Sequence, residues 1–351
     1  MPVLLEARSV KKVYGGGLRG RRMTAVDEFS LAISDEPSII ALVGESGSGK
    51  TTLARLLLGL TEPSEGEVLY RGANISKLST AAKREFRRDV QVIFQDPFEA
   101  YNPFYKVDHV LETPVLNFGL AASRPQARRL IEDTLRAVGL RPEETLGRYP
   151  HQLSGGQRQR IMVARALLIR PRVIIADEPV SMVDASLRAT ILGSLRQLHD
   201  EFGISLIYIT HDLTTAYQIS QNVIVLYRGL IAEAGDAEMV VREPKHPYTQ
   251  LLIGSIPMPD PHHPWKGEEA PADGARETEG CHFAPRCPRA MPMCWQSQPP
   301  MYRTDKHRAA ACYLYRDAEP LAGVEIDKVL IRKGVLEPHG AQRFAEVTPG
   351  V

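Results

Sequence analysis

Two kinds of apolar pattern mark the predicted strands of this chain: alternating segments and continuous apolar runs. Residues 3–14 and 25–33 alternate apolar and polar positions, which predicts two strands of an antiparallel edge. Other runs are apolar on both faces and predict buried strands, namely 38–43, 90–94, 173–176, 204–210 and 223–226. Helical patterns lie between several of these runs, so the sequence predicts an α/β core.

Four other segments depart from this alternation and suggest how the chain is organised. Residues 98–165 lack buried-strand runs and predict an inserted helical subdomain within a domain of residues 1–256. Residues 257–280 are rich in Pro, Gly, Asp and Glu, which is typical of a linker. Residues 281–320 then predict a small Cys-rich region, and 321–351 a loosely ordered tail.

Composition and charge narrow the class of protein. The 351 residues suffice for one large core and a smaller appendage, and a formal charge of +1 argues against a nucleic-acid coat or a polybasic membrane anchor. No apolar run approaches the roughly 18 residues that a spanning helix needs. The N-terminal residues lack a basic region leading into an apolar core, so we expect no secretory signal and a soluble, cytosolic chain.

A Gly-rich segment follows the buried run at 38–43 and precedes a helical pattern at 52–58. It reads Gly44-Glu45-Ser46-Gly47-Ser48-Gly49-Lys50-Thr51 and fits the phosphate-loop pattern G-x-x-x-x-G-K-[ST]. Glycines let the backbone N–H groups converge on phosphate oxygens, and the next helix adds about half a positive charge at its N-terminus. Lys50 can contact the β- and γ-phosphates, and the Thr51 hydroxyl can ligate Mg²⁺. The pattern alone leaves kinases, GTPases and many ATPases open.

Polar side chains follow three of the predicted buried strands. Asp177 and Glu178 end one strand, Gln95 follows a second and His211 a third. In α/β folds, ligands bind at the carboxyl edge of the sheet. Asp177 is therefore placed to hold Mg²⁺, and Glu178 to orient and deprotonate an attacking water.

A second Gly-rich segment opens a helix rather than following a strand. It reads Leu153-Ser154-Gly155-Gly156-Gln157, with Ser154 where an N-cap belongs and two glycines that permit close approach to a phosphate. Taken alone, Ser-Gly-Gly is a common loop. Its position in the sequence between the phosphate loop and the Asp177-Glu178 pair favours a role at a phosphate.

Together these segments resemble the nucleotide-binding subunits of ATP-binding-cassette (ABC) transporters, over about residues 4–255. The resemblance implies a P-loop NTPase core with an antiparallel β edge subdomain and an inserted α-helical subdomain. It makes 44–51 the Walker A loop, Gln95 the Q-loop glutamine, 153–157 the signature motif and His211 the switch histidine. The residues it places at the nucleotide are Tyr14, Gly44, Glu45, Ser46, Gly47, Ser48, Gly49, Lys50, Thr51, Thr52, Ser154, Gly155, Gly156 and Gln157.

The same resemblance implies a mechanism. Two subunits, in a homo- or heterodimer, sandwich two ATP molecules, and the signature helix of one faces the γ-phosphate held by the other. Glu178 serves as the base, while His211 and Gln95 sense the γ-phosphate and the metal. Thr51, Gln95 and Asp177 are the implied Mg²⁺ ligands. Two permease subunits and an extracytoplasmic solute-binding protein complete the assembly, at the cytoplasmic face of the inner membrane and without nucleic acid.

Two runs favour the peptide-importer branch of this family. The run from Gln95 to Pro103 resembles its Q-loop segment, and His246-Pro247-Tyr248-Thr249 resembles the H-P-Y-T helix of oligopeptide and dipeptide importer ATPases. The alternatives within this branch are oligosaccharide or nickel import. A non-transport ABC ATPase is disfavoured because the chain has one cassette and no heptad run, and a non-hydrolysing regulatory subunit because Glu178 is present.

The four cysteines of the chain form a C-x5-C-x6-C-x17-C pattern. Similar tails in this branch bind a [4Fe–4S] cluster, and four thiolates suit either iron–sulfur or tetrahedral zinc. Zinc sites usually have paired C-x2–4-C spacing, which this pattern lacks, so we expect the cluster before zinc. The ligands would be Cys281, Cys287, Cys294 and Cys312.

Overall fold

The computed structural model describes residues 2–15, 22–95, 101–181, 183–256, 279–321 and 323–331. Its strands are β1 Val3–Tyr14, β2 Met23–Ser34, β3 Ile39–Val43, β4 Glu65–Tyr70, β5 Ala73–Asn74, β6 Val90–Ile93, β7 Val173–Asp177, β8 Ser205–Thr210, β9 Asn222–Tyr227, β10 Leu230–Asp236, β11 Met301–Asp305, β12 Arg308–Ala310 and β13 Pro320–Leu321. Its α-helices are α1 Lys50–Leu57, α2 Thr80–Asp89, α3 Val107–Phe118, α4 Arg124–Ala137, α5 Pro142–Thr145, α6 Gly155–Leu168, α7 Ala185–Phe202, α8 Leu213–Ile219, α9 Ala237–Arg242 and α10 Pro247–Gly254.

The main sheet places the polar strand ends side by side. Its order is β13-β11-β12-β10-β9-β3-β8-β7-β6, and β9, β3, β8, β7 and β6 run parallel. Every residue of β3, β7, β8 and β9 is buried, as the two-sided apolar runs predict. The register pairs Val43 with Thr210 and Ile209 with Asp177, so the segments that follow these strands emerge at one edge.

The antiparallel edge predicted from the alternating segments forms a second sheet, in the order β2-β1-β4-β5. In β1 and β2 the pairing joins buried positions, for example Ala7 with Leu31. The pattern did not indicate β4, because its first three residues, Glu-Gly-Glu, are not buried and only its last three enter the core. The core between this sheet and the parallel one contains Phe29, Leu42 and Leu56.

Helices α3 to α6 form the predicted insertion, and no strand occurs in the described residues from 101 to 168. Helix α6 packs against α3 and α4 and also contacts β6. It ends at Leu168, three residues beyond the predicted boundary at 165, because its apolar face continues into the main core through Ala166, Leu167 and Leu168.

The C-terminal region continues the main sheet, which differs from the separate small region expected from the sequence. Strand β12 pairs antiparallel with β10, joining Ala309 to Ala234, and β11 and β13 add to its far side. These strands are short, and the segment 257–278 separates them from the core in sequence, so no periodic pattern indicates the pairing. The predicted linker lies outside the described residues apart from 279 and 280.

The first part of the predicted tail is also packed. A 3₁₀ helix at Gly323–Lys328 contacts β2, and Ile326 and Val329 are buried. The Asn222 side chain accepts from the Ile331 N–H at 2.7 Å and donates to its carbonyl at 2.9 Å. Residues 332–351 lie outside the described residues. Across the described part of the chain, none of the helices combines the length and the apolar character needed to cross a bilayer.

Candidate nucleotide site

The phosphate loop connects β3 to α1 in a backbone path that requires glycine. A Cβ on Gly44 would lie 2.2 Å from the Leu226 carbonyl oxygen, and one on Gly49 would lie 2.2 Å from that of Ala25. Gly49 also has φ +103°, a left-handed conformation that side chains disfavour. The loop is therefore pressed between β9 and β2, so its curvature is fixed by the surrounding strands.

Lys50 places a buried positive charge inside this loop. It is 6% exposed, and its Nζ donates to the carbonyls of Gly44 at 2.7 Å and Glu45 at 2.9 Å. Burial lowers the pKa of Lys50, and the carboxylates of Glu178, Asp177 and Glu45 oppose that shift. Among the described residues no carboxylate lies within ion-pair distance of this ammonium. A buried cation in a curled glycine loop is a donor set that fits phosphate oxygens.

A hydroxyl and a carboxylate meet beside the loop. The Thr51 Oγ1 donates to Asp177 Oδ1 at 3.5 Å, and Asp177, at the end of β7, is 7% exposed. Burial raises the pKa of Asp177, while the bond from Thr51 and the charge of Lys50 lower it. Hydroxyl and carboxylate oxygens are ligands that Mg²⁺ prefers, so this pair fits the predicted metal position.

Glu178 follows Asp177 in a strained backbone conformation. Its φ is +44°, uncommon for a residue with a side chain, and its N–H donates to the Ile209 carbonyl at 2.9 Å. The Oε2 atom lies 3.0 Å from Nδ1 of His211, which follows β8. The side chain of Glu178 is 16% exposed and that of His211 58%. The carboxylate thus remains open to solvent on one side while the histidine fixes it on the other.

One open cavity brings most of the predicted residues together. The predicted residues that line it are Glu45, Ser46, Gly47, Gly49, Lys50, Thr51, Thr52, Gln95, Glu178 and His211. Gly44, Ser48 and Asp177 are in contact with this group, through Lys50 and Thr51. Tyr14 lies at the end of β1, paired with Met23, and does not line the cavity.

Several residues that line this cavity were not predicted from the sequence. They come from β2 and the residue before it, from the turn after β9, from α10 and from the C-terminal region. These residues are Arg22, Met23, Thr24, Ala25, Asp27, Arg228, Leu252 and His282. His282 lines this cavity, and its Nδ1 lies 3.3 Å from the Arg228 carbonyl. No periodic signal marks these positions, because four separate elements supply them.

The second Gly-rich segment caps α6 and does not line the same cavity. The Ser154 Oγ accepts from the Gln157 N–H at 3.2 Å, and the Gln157 Oε1 accepts from the Ser154 N–H at 2.9 Å, which is a capping box. A Cβ on Gly156, the second residue of α6, would lie 1.6 Å from Leu187 Cδ2, so a larger residue there would displace the Leu187 side chain of α7. Within one copy, the four predicted signature residues are therefore separate from Lys50.

The metal centre predicted for the four cysteines is not confirmed. In the described ranges no set of three or more His, Cys, Asp or Glu side chains has the arrangement needed to hold a metal ion. The four thiols nevertheless line one small cavity and form no disulfide. Burial raises the pKa of the Cys312 thiol to about 11 and also raises those of Cys281 and Cys287.

Comparison with known proteins agrees with this fold. Residues 26–181 match the ABC transporter family, and residues 232–294 match the C-terminal region of oligopeptide/dipeptide transporters. A dimeric ATP-binding cassette, MJ0796, solved with ADP and Pi, is 28% identical with a TM-score of 0.60, over 67% of this chain and 99% of that one. The cbiO1 protein of Clostridium perfringens, part of the transporter complex cbiONQ, is 25% identical with a TM-score of 0.59, over 69% and 92%.

Curated relatives are similar over nearly their whole length. A di/tripeptide transport ATP-binding protein of Pseudomonas aeruginosa is 40% identical over 89% of this chain and 98% of its own. An oligopeptide transport ATP-binding protein of Bacillus subtilis is 37% identical over 89% and 97%. The fold and site define an ABC-type ATPase. This chain belongs to the ABC transporter family, among its ATP-binding subunits.

Proposed function

We propose that this chain hydrolyses ATP to drive the import of short peptides through partner permease subunits. The observation that carries the proposal is that one chain joins the phosphate-loop cavity to a segment that matches the C-terminal region of oligopeptide/dipeptide transporters. The relatives of nearly equal length are peptide-transport ATP-binding proteins.

The proposed roles at the phosphates follow from the donors of this chain. Lys50 turns from the carbonyls of Gly44 and Glu45 to the β- and γ-phosphates, and the loop N–H groups bind the remaining oxygens. Thr51, Asp177 and Gln95 hold Mg²⁺, which when bound neutralises phosphate charge.

Glu178 is the proposed general base. Its carboxylate accepts a proton from the water that attacks the γ-phosphate, and His211 holds that carboxylate in position through the 3.0 Å contact. The backbone of Glu178 has a strained φ of +44°, and strain of this kind clusters at active sites. Gln95 follows the neighbouring strand β6 and lies at the same edge of the main sheet as Glu178.

The nucleotide cavity of one copy contains only part of the proposed site. The capped N-terminus of α6, which is the other part, does not line that cavity. We therefore propose that a second ATPase subunit, identical or related, contributes Ser154, Gly155, Gly156 and Gln157 to the nucleotide bound here. Two permease subunits and an extracytoplasmic solute-binding protein complete the importer. The chain would then lie at the cytoplasmic face of the inner membrane.

Co-purification from the native cell tests the cargo and the assembly. We expect two permease subunits to co-purify with the tagged chain, with or without a second ATPase subunit. We also expect the associated solute-binding protein to contain bound peptide. An oligosaccharide or nickel in that binding protein would contradict the peptide assignment. Repair or translation factors in place of permeases would contradict the importer itself.

The four thiols form the proposed [4Fe–4S] site, with zinc as the alternative. They converge on one cavity although they span 32 residues of sequence, from Cys281 to Cys312. Burial disfavours their thiolate forms, and a bound cation would reverse that preference.

Metal analysis of anaerobically purified protein tests this assignment. We expect brown protein with iron and sulfide and a broad absorbance at roughly 400 nm, lost in Cys294→Ser. Colourless protein with stoichiometric zinc would replace the cluster by zinc, and metal-free protein with four titratable thiols would contradict both.

A further inference from the structure

A salt bridge joins the C-terminal region to the phosphate loop. The Arg286 guanidinium donates from Nη1 to Glu45 Oε2 at 2.8 Å and from Nη2 to Glu45 Oε1 at 2.9 Å. This bidentate pair links positions 241 residues apart. The Arg286 side chain is 16% exposed and that of Glu45 40%, so the arginine end of the pair is largely removed from water.

A second contact fixes the backbone of the same loop residue. The Glu45 N–H donates to the hydroxyl of Tyr248 at 2.9 Å, and Tyr248, in α10, is fully buried. The H-P-Y-T helix thus has a structural role that its sequence did not reveal. Glu45 is held twice, once by its side chain and once by its backbone, and both partners lie beyond β10.

Aromatic rings hold Arg286 in this position. Its guanidinium lies 5.8 Å from the ring centroids of both Tyr227 and Phe283. Tyr227, Tyr248 and Phe283 pack on one another with centroid separations of 4.5 to 5.5 Å. Cation–π contacts of this kind favour the charged guanidinium where it is partly removed from water.

The charge of Glu45 explains why this pairing matters at a phosphate site. Glu45 lines the nucleotide cavity, and its carboxylate acts electrostatically on Lys50. An uncompensated carboxylate there would repel a triphosphate and compete with it for the lysine. Arg286 both neutralises that charge and draws the carboxylate toward the C-terminal region.

We propose that Arg286 is a positioning residue for ATP binding, which acts by pairing with Glu45 and holding the phosphate loop. This rests on the proposed ATP hydrolysis. The C-terminal region is then a working part of the nucleotide site, and Tyr248 supports the same loop residue from the other side.

A double-mutant cycle on ATPase kinetics tests this role. Arg286→Met should raise the KM for ATP by about tenfold or more, with kcat little changed, because it leaves a carboxylate unpaired beside the phosphates. In a Glu45→Gln background the same substitution should have little effect on KM. Arg286→Lys, which keeps the charge without the bidentate geometry, should give an intermediate KM.

One control variant separates this role from a general effect of removing an arginine. Arg316→Met removes an exposed arginine of the same region and should leave KM unchanged. If Arg286→Met raises KM as much in the Glu45→Gln background as in the unaltered protein, or leaves KM unchanged in the unaltered protein, the proposal is overturned. An unaltered protein that hydrolyses no ATP would instead overturn the proposed function.

Discussion

Glu178→Gln should lower ATP turnover by about 10²-fold or more while leaving ATP binding intact. Glutamine keeps the shape of the side chain and can still hydrogen-bond to His211, whose Nδ1 lies 3.0 Å from Glu178 Oε2. It has no basic oxygen to accept a proton from the attacking water. Steady-state phosphate release, together with equilibrium binding of ATP, separates the two effects.

Glu201→Gln is the matched control for this substitution. Glu201 lies on the exposed end of α7, and its replacement should leave turnover unchanged. Near-normal hydrolysis by Glu178→Gln would remove Glu178 from its role as base. Loss of ATP binding in the variant would mean that the carboxylate supports the site rather than the reaction.

Lys50→Ala should abolish measurable ATP binding. The substitution removes the buried ammonium that is proposed to turn from the carbonyls of Gly44 and Glu45 to the β- and γ-phosphates. Truncating one member of a buried charge pair costs about 2–5 kcal/mol, which corresponds to at least about 30-fold in affinity. Titration with a fluorescent ATP analogue, or calorimetry, measures this affinity.

Lys77→Ala controls for the loss of a lysine, because Lys77 is exposed in a 3₁₀ turn away from the loop. Its affinity for ATP should match that of the unaltered protein. Thermal unfolding of both variants shows whether the fold is kept. Unchanged ATP affinity in a folded Lys50→Ala protein would contradict the assignment of the phosphate loop.

The parallel core and its loop were predictable because their signals are local. The phosphate loop needs glycine at Gly44 and Gly49 for close approach to strands, and this need appears directly as a spacing in the sequence. The runs that became β3, β7, β8 and β9 are apolar on both faces, as strands buried on both sides must be. Glu178 and His211 follow two of these strands, so their proximity follows from the parallel order.

The contribution of the C-terminal region was not predictable, because its signals are not local. Arg286 and Glu45 are 241 residues apart, and neither sits in a periodic segment that indicates the other. The contact of the Tyr248 hydroxyl with the Glu45 N–H appears only in three dimensions. Strand β12 has three residues, too few for an alternating pattern to be seen.

If one nucleotide site requires two ATPase subunits, ATP should change the mass of the Glu178→Gln protein in solution. We would measure light scattering with and without ATP, on the 39.0 kDa chain alone and with any second ATPase subunit that co-purifies. We expect that ATP joins two subunits and that ADP does not. A mass that ATP leaves unchanged in both samples, at concentrations that saturate binding, would contradict it.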